Sequence, residues 1–152
     1  MAPRVPYAVC AALSSMLPTM NGYMLRILAG RHFQYRYCVS PDHCCWDLRV
    51  NGRLHGCDAL PAVITGGGVM AWYRYDKRHR GSDLPAIVFC RGAKQWWKND
   101  NLHRDGDLPA DIWTDDSQRW FKHGKLHRDG DMPAEIWANG SQRWFKHGKR
   151  CK

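Results

Sequence analysis

The triplet His-Arg-Asp occurs twice in this chain of 152 residues, at positions 103–105 and 127–129. In protein kinases the aspartate of such a triplet accepts the proton of the substrate hydroxyl. That chemistry also needs an asparagine five residues after the aspartate, inside a much larger fold with a glycine-rich loop. Ala110 stands at this position. We therefore expect the triplet to be a product of internal repetition, with no catalytic residue and no enzyme activity.

Histidine and cysteine side chains that can ligate zinc crowd into residues 32–57. They are His32, Cys38, His43, Cys44, Cys45, His55 and Cys57. Zinc sites usually present ligand pairs two to four residues apart, whereas the gaps here are irregular. The candidates for a zinc site are Cys38, Cys44, His55 and Cys57, and the competing interpretation is a set of reduced, buried thiols. We expect no metal and no cofactor. The chain has seven cysteines, an odd number that does not fit a secreted disulfide framework.

An internal repeat organises most of the chain. Residues 102–110 return as 126–134 with a single change, Met132 for Leu108, and residues 117–123 return unchanged as 141–147. The same offset of 24 residues relates a series of prolines, histidines and tryptophans further upstream. We expect a structural ladder that consists of Trp72, Trp96, Trp120, Trp144, His79, His103, His127, Pro85, Pro109 and Pro133. Copies in strict phase indicate a tandem array of one supersecondary unit.

The pattern within each unit predicts a β-hairpin. Residues 110–113 have the character of a strand that starts after a proline, where the missing N–H is not needed. A two-residue turn at Asp115-Asp116 follows, and the next copy has Asn139-Gly140, which favours a type I′ turn. The second strand is 118–122. A second tight turn is expected at Asn51-Gly52, Asp76-Lys77, Asp100-Asn101, His123-Gly124 and His147-Gly148.

The predicted fold is all-β, with tandem 24-residue β-hairpin repeats that form an elongated meander. Residues 48–152 hold four repeats, at about 52–75, 76–99, 100–123 and 124–147, and a truncated fifth. Residues 1–47 form an irregular or partly helical segment that includes the Cys/His cluster. This segment either caps the open end of the array or anchors the chain to a neighbouring subunit.

The repeats resemble MORN-type repeats, and more closely their divergent variety in large DNA viruses. The motif there is an aromatic pair, Gly-x-x-His-Arg, and then Pro-Ala. It is carried here by Trp72-Tyr73, His79-Arg80 and Pro85-Ala86, and by Trp120-Phe121, Gly124, His127-Arg128 and Pro133-Ala134. The first copy departs from it, with Gly56 in place of arginine. The resemblance implies a curved ribbon of hairpins that serves as an assembly or attachment surface.

Function is expected to be structural and non-enzymatic. The resemblance and the repeats predict a scaffolding protein that contacts other proteins of an assembly, as a minor capsid or cement component of a large DNA virus particle. A net charge of +9 supports an alternative, a basic module that binds anionic phospholipid headgroups or nucleic acid. We expect no small-molecule substrate. The expected location is the virion, or alternatively the host cytoplasm, with no signal peptide and no transmembrane segment.

Overall fold

The computed structural model describes residues 33–40 and 43–151, and its regular secondary structure within them is all-β. The strands pair antiparallel, as the repeats predict. The described residues form two compact units that divide between Lys77 and Arg78. The expected helical character of the N-terminal segment and the absence of a signal peptide concern residues that lie outside the described part.

Nineteen strands occur in the described residues, and nearly all are two residues long. They are β1 Phe33–Ser40, β2 His43–Val50, β3 Arg53–Leu54, β4 Val63–Ile64, β5 Met70–Ala71, β6 Tyr73–Arg74, β7 Lys77–Arg78, β8 Ile87–Val88, β9 Lys94–Gln95, β10 Trp97–Lys98, β11 Asn101–Leu102, β12 Asp111–Ile112, β13 Gln118–Arg119, β14 Phe121–Lys122, β15 Lys125–Leu126, β16 Glu135–Ile136, β17 Gln142–Arg143, β18 Phe145–Lys146 and β19 Lys149–Arg150.

The first unit is built around the long strand β2. All eight of its residues pair with β1, and Trp46 and Asp47 also pair with β4. Its last two residues, Arg49 and Val50, pair with β3 across a tight turn. Strand β4 pairs in turn with β5. Strand β2 thus pairs with β1, β3 and β4, which all belong to the same sheet.

The second unit repeats this arrangement in shorter strands. Its sheet has the order β8-β9-β12-β13-β16-β17, with every neighbouring pair antiparallel. Beside the sheet lie three two-stranded hairpins, β10-β11, β14-β15 and β18-β19. The sequence predicted one hairpin per repeat, and the structure has two: one in the sheet and one beside it.

The repeat tryptophan is the residue at which the chain passes from the sheet to the small hairpin. The Trp120 N–H donates to the Ala134 carbonyl at 2.8 Å, and the Trp120 carbonyl accepts the His127 N–H at 3.0 Å. The predicted second strand 118–122 is therefore two strands, β13 and β14, with Trp120 between them. We name each copy by its residue at this position. Leu48 holds it in the first copy, because it makes the same two bonds with Ala62 and His55.

The two turns of each copy are of different types, and the sequence assigned the type I′ turn to the wrong one. Gly140 and Asp116 are the positive-φ residues of the turns in the sheet, whereas Asn139 and Asp115 are not. The Trp137 N–H donates to the Ser141 carbonyl at 2.9 Å. These turns are therefore three-residue loops, in which one left-handed residue closes the hairpin.

The turn of the small hairpin is the one with positive φ at both positions. In the Trp120 copy φ is 51° at His123 and 76° at Gly124. Two earlier turns lie one residue before their predicted positions, at Tyr75-Asp76 and Asn99-Asp100. Asparagine and aspartate tolerate the left-handed conformation, which the type I′ turn requires twice.

The core is formed by small and large residues at fixed repeat positions. Ala62, Ala86, Ala110 and Ala134 are fully buried. The rings of Trp72, Trp96 and Trp120 are 5–7% exposed, whereas Trp144 is half-buried. Pro61, Pro109 and Pro133 are buried and Pro85 is half-buried. An indole ring buries a large apolar area, so these three tryptophans are the largest side chains among the buried apolar residues.

Residues 33–40 and 43–151 include no helix with the length and apolar character needed to cross a membrane.

Candidate contact surface along the repeat loops

The histidines of the His-Arg-Asp triplets are held by two hydrogen bonds each. His103 Nδ1 accepts the backbone N–H of His123 at 3.2 Å, so its Nε2 carries the hydrogen and donates to Asp105 Oδ1 at 3.0 Å. His127 makes the same pair of bonds with His147 and Asp129. Each ring also stacks on the turn histidine of the next hairpin, with centroids 4.8 Å and 4.4 Å apart. Both ring nitrogens are thus engaged within the fold.

The aspartate of each triplet is paired as well. The hydrogen bond from His103, together with the ion pair to Lys98, lowers the pKa of Asp105 to about 2. The His127 hydrogen bond and then Lys122 lower the pKa of Asp129 in the same way. An aspartate with such a low pKa stays ionised at neutral pH and is a poor proton acceptor. Each aspartate is therefore held as a carboxylate between a histidine and a lysine.

The arginine of each triplet links three parts of the array. Arg128 forks onto both carboxylate oxygens of Asp107 at 2.7 Å, lies 3.9 Å over the Trp120 ring and donates to the Pro133 carbonyl. Arg104 repeats these contacts with Asp83, Trp96 and Pro109. These arginines lower the pKa of Asp107 and of Asp83. A planar guanidinium suits this combination of stacking and bidentate pairing.

The Leu48 copy has no such arginine, and its loop is closed instead. A Cβ atom added to Gly56 would lie 2.5 Å from the Leu60 carbonyl oxygen and 3.0 Å from the Ala62 nitrogen. No side chain fits there without moving the backbone. The Leu60 N–H donates to the Cys57 carbonyl at 3.0 Å, as the Leu84 N–H does to the Gly81 carbonyl at 3.1 Å, but Leu60 is only 1% exposed.

The later loops expose the residue that corresponds to Leu60. Leu84 is 39% exposed, Leu108 is 46% exposed and Met132 is 49% exposed. We call these three side chains the apolar row. Sequence analysis missed it, although the signal was present: an apolar residue precedes the proline in every copy.

Hollows lie beside the apolar row between successive loops. One of about 450 Å³ is lined by Leu108, Trp120, Phe121 and the arginines and aspartates of two loops. Its counterpart one copy earlier has about 540 Å³ and includes Leu84 and Trp97. In the sheet, neighbouring copies are two strands apart, so equivalent side chains recur about every 10 Å. The loops thus present a periodic surface of exposed apolar side chains and paired charges.

The zinc candidates are only partly placed by the structure. Cys38 pairs with Cys45 and Cys44 pairs with Val39 in the β1–β2 register. His55 is buried, and burial followed by the nearby Arg74 lowers its pKa, while Cys57 is a half-buried thiol. No group of three potential metal ligands occurs among the described side chains.

Charged residues on the sheet also pair within the fold. Asp111 is 2% exposed and accepts hydrogen bonds from Arg119 and from the Trp113 indole. In the next copy Arg143 lies 3.8 Å from the buried Glu135. These charged residues of the sheet thus pair with one another, as the charges of the loops do.

Comparisons of this chain with protein-family models, with curated proteins and with solved structures find no match.

Proposed function

We propose that this chain is a non-enzymatic scaffolding protein that binds other proteins along the edge formed by its repeat loops. The observation that carries the proposal is the apolar row. Leu84, Leu108 and Met132 are exposed at the same position of three successive copies. The Leu48 copy buries its equivalent, Leu60, so the repeat does not require this side chain to be exposed. Aligned apolar side chains in solvent are typical of protein contact sites.

Two further observations support a structural role. The histidine, arginine and aspartate side chains of the Trp96 and Trp120 copies bond to one another, as the distances above show. The periodic spacing of about 10 Å also suits an extended contact, since a helix rises by about that distance in one heptad. A partner helix with one apolar side chain per heptad would meet each copy in turn. From the resemblance to viral repeats, capsid proteins of a large DNA virus are the first partners to test.

The experiment compares three forms of the full chain, each recovered from the native source with its bound proteins. The first is the wild type. In the second, Leu84→Asp, Leu108→Asp and Met132→Asp are combined. The control combines Thr114→Asp, Ala138→Asp and Gln142→Asp, which are exposed positions off the row and add the same charge. Bound protein is quantified at about 0.1 M and about 0.5 M salt.

We expect the wild type and the control to keep the same structural proteins at both salt concentrations, because apolar contacts are insensitive to screening. The row variant should lose them at both. Equal loss from the control would contradict the proposal, as would release of every partner from the wild type at the higher salt concentration.

A further inference from the structure

One face of the sheet in the second unit carries a row of alternating charges. Arg119 lies opposite both Asp111 and Glu135 in the strand register, so their side chains share this face. Arg143 lies opposite Glu135 on its other side. The two arginines and the two acids sum to zero charge. The row therefore favours neither an anionic nor a cationic partner by its net charge.

Aromatic rings flank this row. The guanidinium carbon of Arg119 lies 5.0 Å from the centre of the Trp113 ring and 5.7 Å from that of the Phe121 ring. The centres of the Trp113 and Trp137 rings are 6.5 Å apart. Among the described residues, Trp113 is the one exposed large apolar side chain outside the apolar row. It has a sheet hairpin on either side, so its exposure is a feature of the face itself.

Two buried polar atoms of the hairpin that β16 and β17 form have no hydrogen-bond partner among the described residues. They are Glu135 Oε2 and Trp137 Nε1. In the preceding hairpin the equivalent groups bond to each other, since the Trp113 indole donates to Asp111 Oδ2 at 3.0 Å. Arg143 Nη1 lies 3.8 Å from Glu135 Oε2, which is close enough for an ion pair but too long for a hydrogen bond.

The missing bonds are a property of this hairpin. Asp111 takes its bonds from two side chains of its own hairpin, and Glu135 has the counterparts of both. Leaving a buried carboxylate oxygen and a buried indole N–H unbonded destabilises a fold. Glu135 is 5% exposed, whereas the side chain of Arg143 beside it is 49% exposed. A ligand group can thus reach Glu135 when Arg143 swings outward.

A hydroxyl group is a ligand that satisfies both atoms, because it donates one hydrogen bond and accepts another. It would donate to Glu135 Oε2 and accept from Trp137 Nε1. An anion would instead be repelled by the buried carboxylate, and an alkyl group would leave both atoms unbonded. Water has the same hydrogen-bonding capacity but does not cover an exposed ring. A sugar offers hydroxyl groups around an apolar C–H face, and such a face packs on aromatic rings.

We propose that this face of the sheet binds a neutral saccharide, with a hydroxyl group bonded to Glu135 and Trp137 and a sugar ring packed on Trp113. The aromatic position recurs in three successive copies, as Phe89, Trp113 and Trp137. Equivalent positions of neighbouring copies are about 10 Å apart in the sheet. An extended chain of β-1,4-linked sugars therefore fits the face better than a single sugar. The site shares no residue with the apolar row and does not depend on the proposed scaffolding function.

The test is isothermal titration calorimetry of the full chain with two neutral probes, cellohexaose and chitohexaose. Trp113→Ala removes the exposed ring, and Leu108→Ala is its control, because Leu108 has a similar exposure but lies in the apolar row. Glu135→Gln replaces the buried carboxylate with an amide of the same size. Its control, Asp116→Asn, makes the same change at an exposed carboxylate of the preceding sheet turn. Circular dichroism of each variant checks that the fold is kept.

We expect the wild type to bind at least one of the two hexasaccharides. Trp113→Ala and Glu135→Gln should each weaken binding about tenfold, since each removes a central contact of the site, and both controls should keep the wild-type affinity. No binding of either probe at about 1 mM, or equal weakening by a variant and its control, would overturn the proposal. Binding of the acidic saccharide heparin alone, unaffected by Trp113→Ala, would also overturn it, because the net charge of +9 would then explain the binding.

Discussion

The Leu48 copy and the Trp96 copy share a backbone but differ in what their loops expose. In both, the residue at the tryptophan position accepts the N–H of the histidine seven residues later at 3.0 Å. Arg104 braces the loop of the Trp96 copy, whereas Gly56 holds its place in the Leu48 copy. Leu60 is 1% exposed and Leu108 is 46% exposed. The backbone bonds and buried alanines therefore define the repeat, whereas the exposure of the residue before the proline differs between the copies.

The first prediction tests whether the repeat tryptophan is the core of its copy. We expect Trp120→Ala to lower the free energy of unfolding by about 3–5 kcal/mol, because it leaves a cavity under Arg128 in place of a buried ring. Urea denaturation monitored by circular dichroism measures this. The control, Trp113→Ala, removes a ring that is 44% exposed and should cost less than half as much. Equal losses would show that the repeat tryptophan is not the core of its copy.

A second prediction concerns the closed loop of the Leu48 copy. We expect Gly56→Ala to cost about 1–3 kcal/mol, since the new Cβ would press on the Leu60 carbonyl and the backbone would have to shift. The change in urea midpoint gives the value. Gly52→Ala is the matched control, because no atom lies within 4 Å of its Cβ and only its φ of +77° is strained. In addition, Leu60 should become more accessible in the Gly56 variant, as hydrogen exchange of its amide would report. Unchanged exchange of the Leu60 amide would show that the burial of Leu60 does not depend on Gly56.

The third and smallest effect is a pH dependence that the Leu48 copy lacks, since Cys57 stands where Asp105 stands in the Trp96 copy. The folded state lowers the pKa of Asp105 from 3.8 to about 2. Its contribution is therefore present above about pH 4 and is lost as the pH falls towards 2. Asp105 is largely exposed, so we expect less than about 1 kcal/mol. Asp105→Asn should reduce the loss of stability between pH 4 and pH 2, measured by thermal unfolding. An unaltered pH profile would mean that the His103 bond carries no net stability.

Much of this fold could be predicted because the 24-residue repeat is visible in the sequence. Pro109-Ala110 and Pro133-Ala134 fix where strands start, and the offset of 24 residues fixes the number of copies. The turn types were harder to predict. Asn139-Gly140 is the dipeptide of a type I′ turn, yet it lies in a three-residue loop, whereas His123-Gly124 forms the type I′ turn. Loop length depends on strand register, which the dipeptide alone does not encode.

The candidate contact surface was less predictable than the fold. Leu60 and Leu108 are the same residue at the same repeat position, and the local difference between their loops, Gly56 against Arg104, does not by itself say which leucine is buried. At Gly56 an added Cβ would meet backbone atoms of Leu60 and Ala62, a close approach that no sequence pattern encodes. Whether a residue at a repeat position is buried can thus be predicted only when the conformation of its loop is known.

The side-chain bonds between copies join residues that are 20 to 22 positions apart. The His103 bond spans 20 residues, the Arg128 fork 21 and the Arg78 bond to Asp100 22. Each is shorter than one 24-residue copy, so duplication of a whole copy supplies both partners of every bond. Loss or gain of a single residue changes the spacing of the partners on either side of it. A gene that encodes such an array can lengthen by duplication in steps of one whole repeat, and the near-identity of residues 102–110 and 126–134 is the trace that such a step would leave.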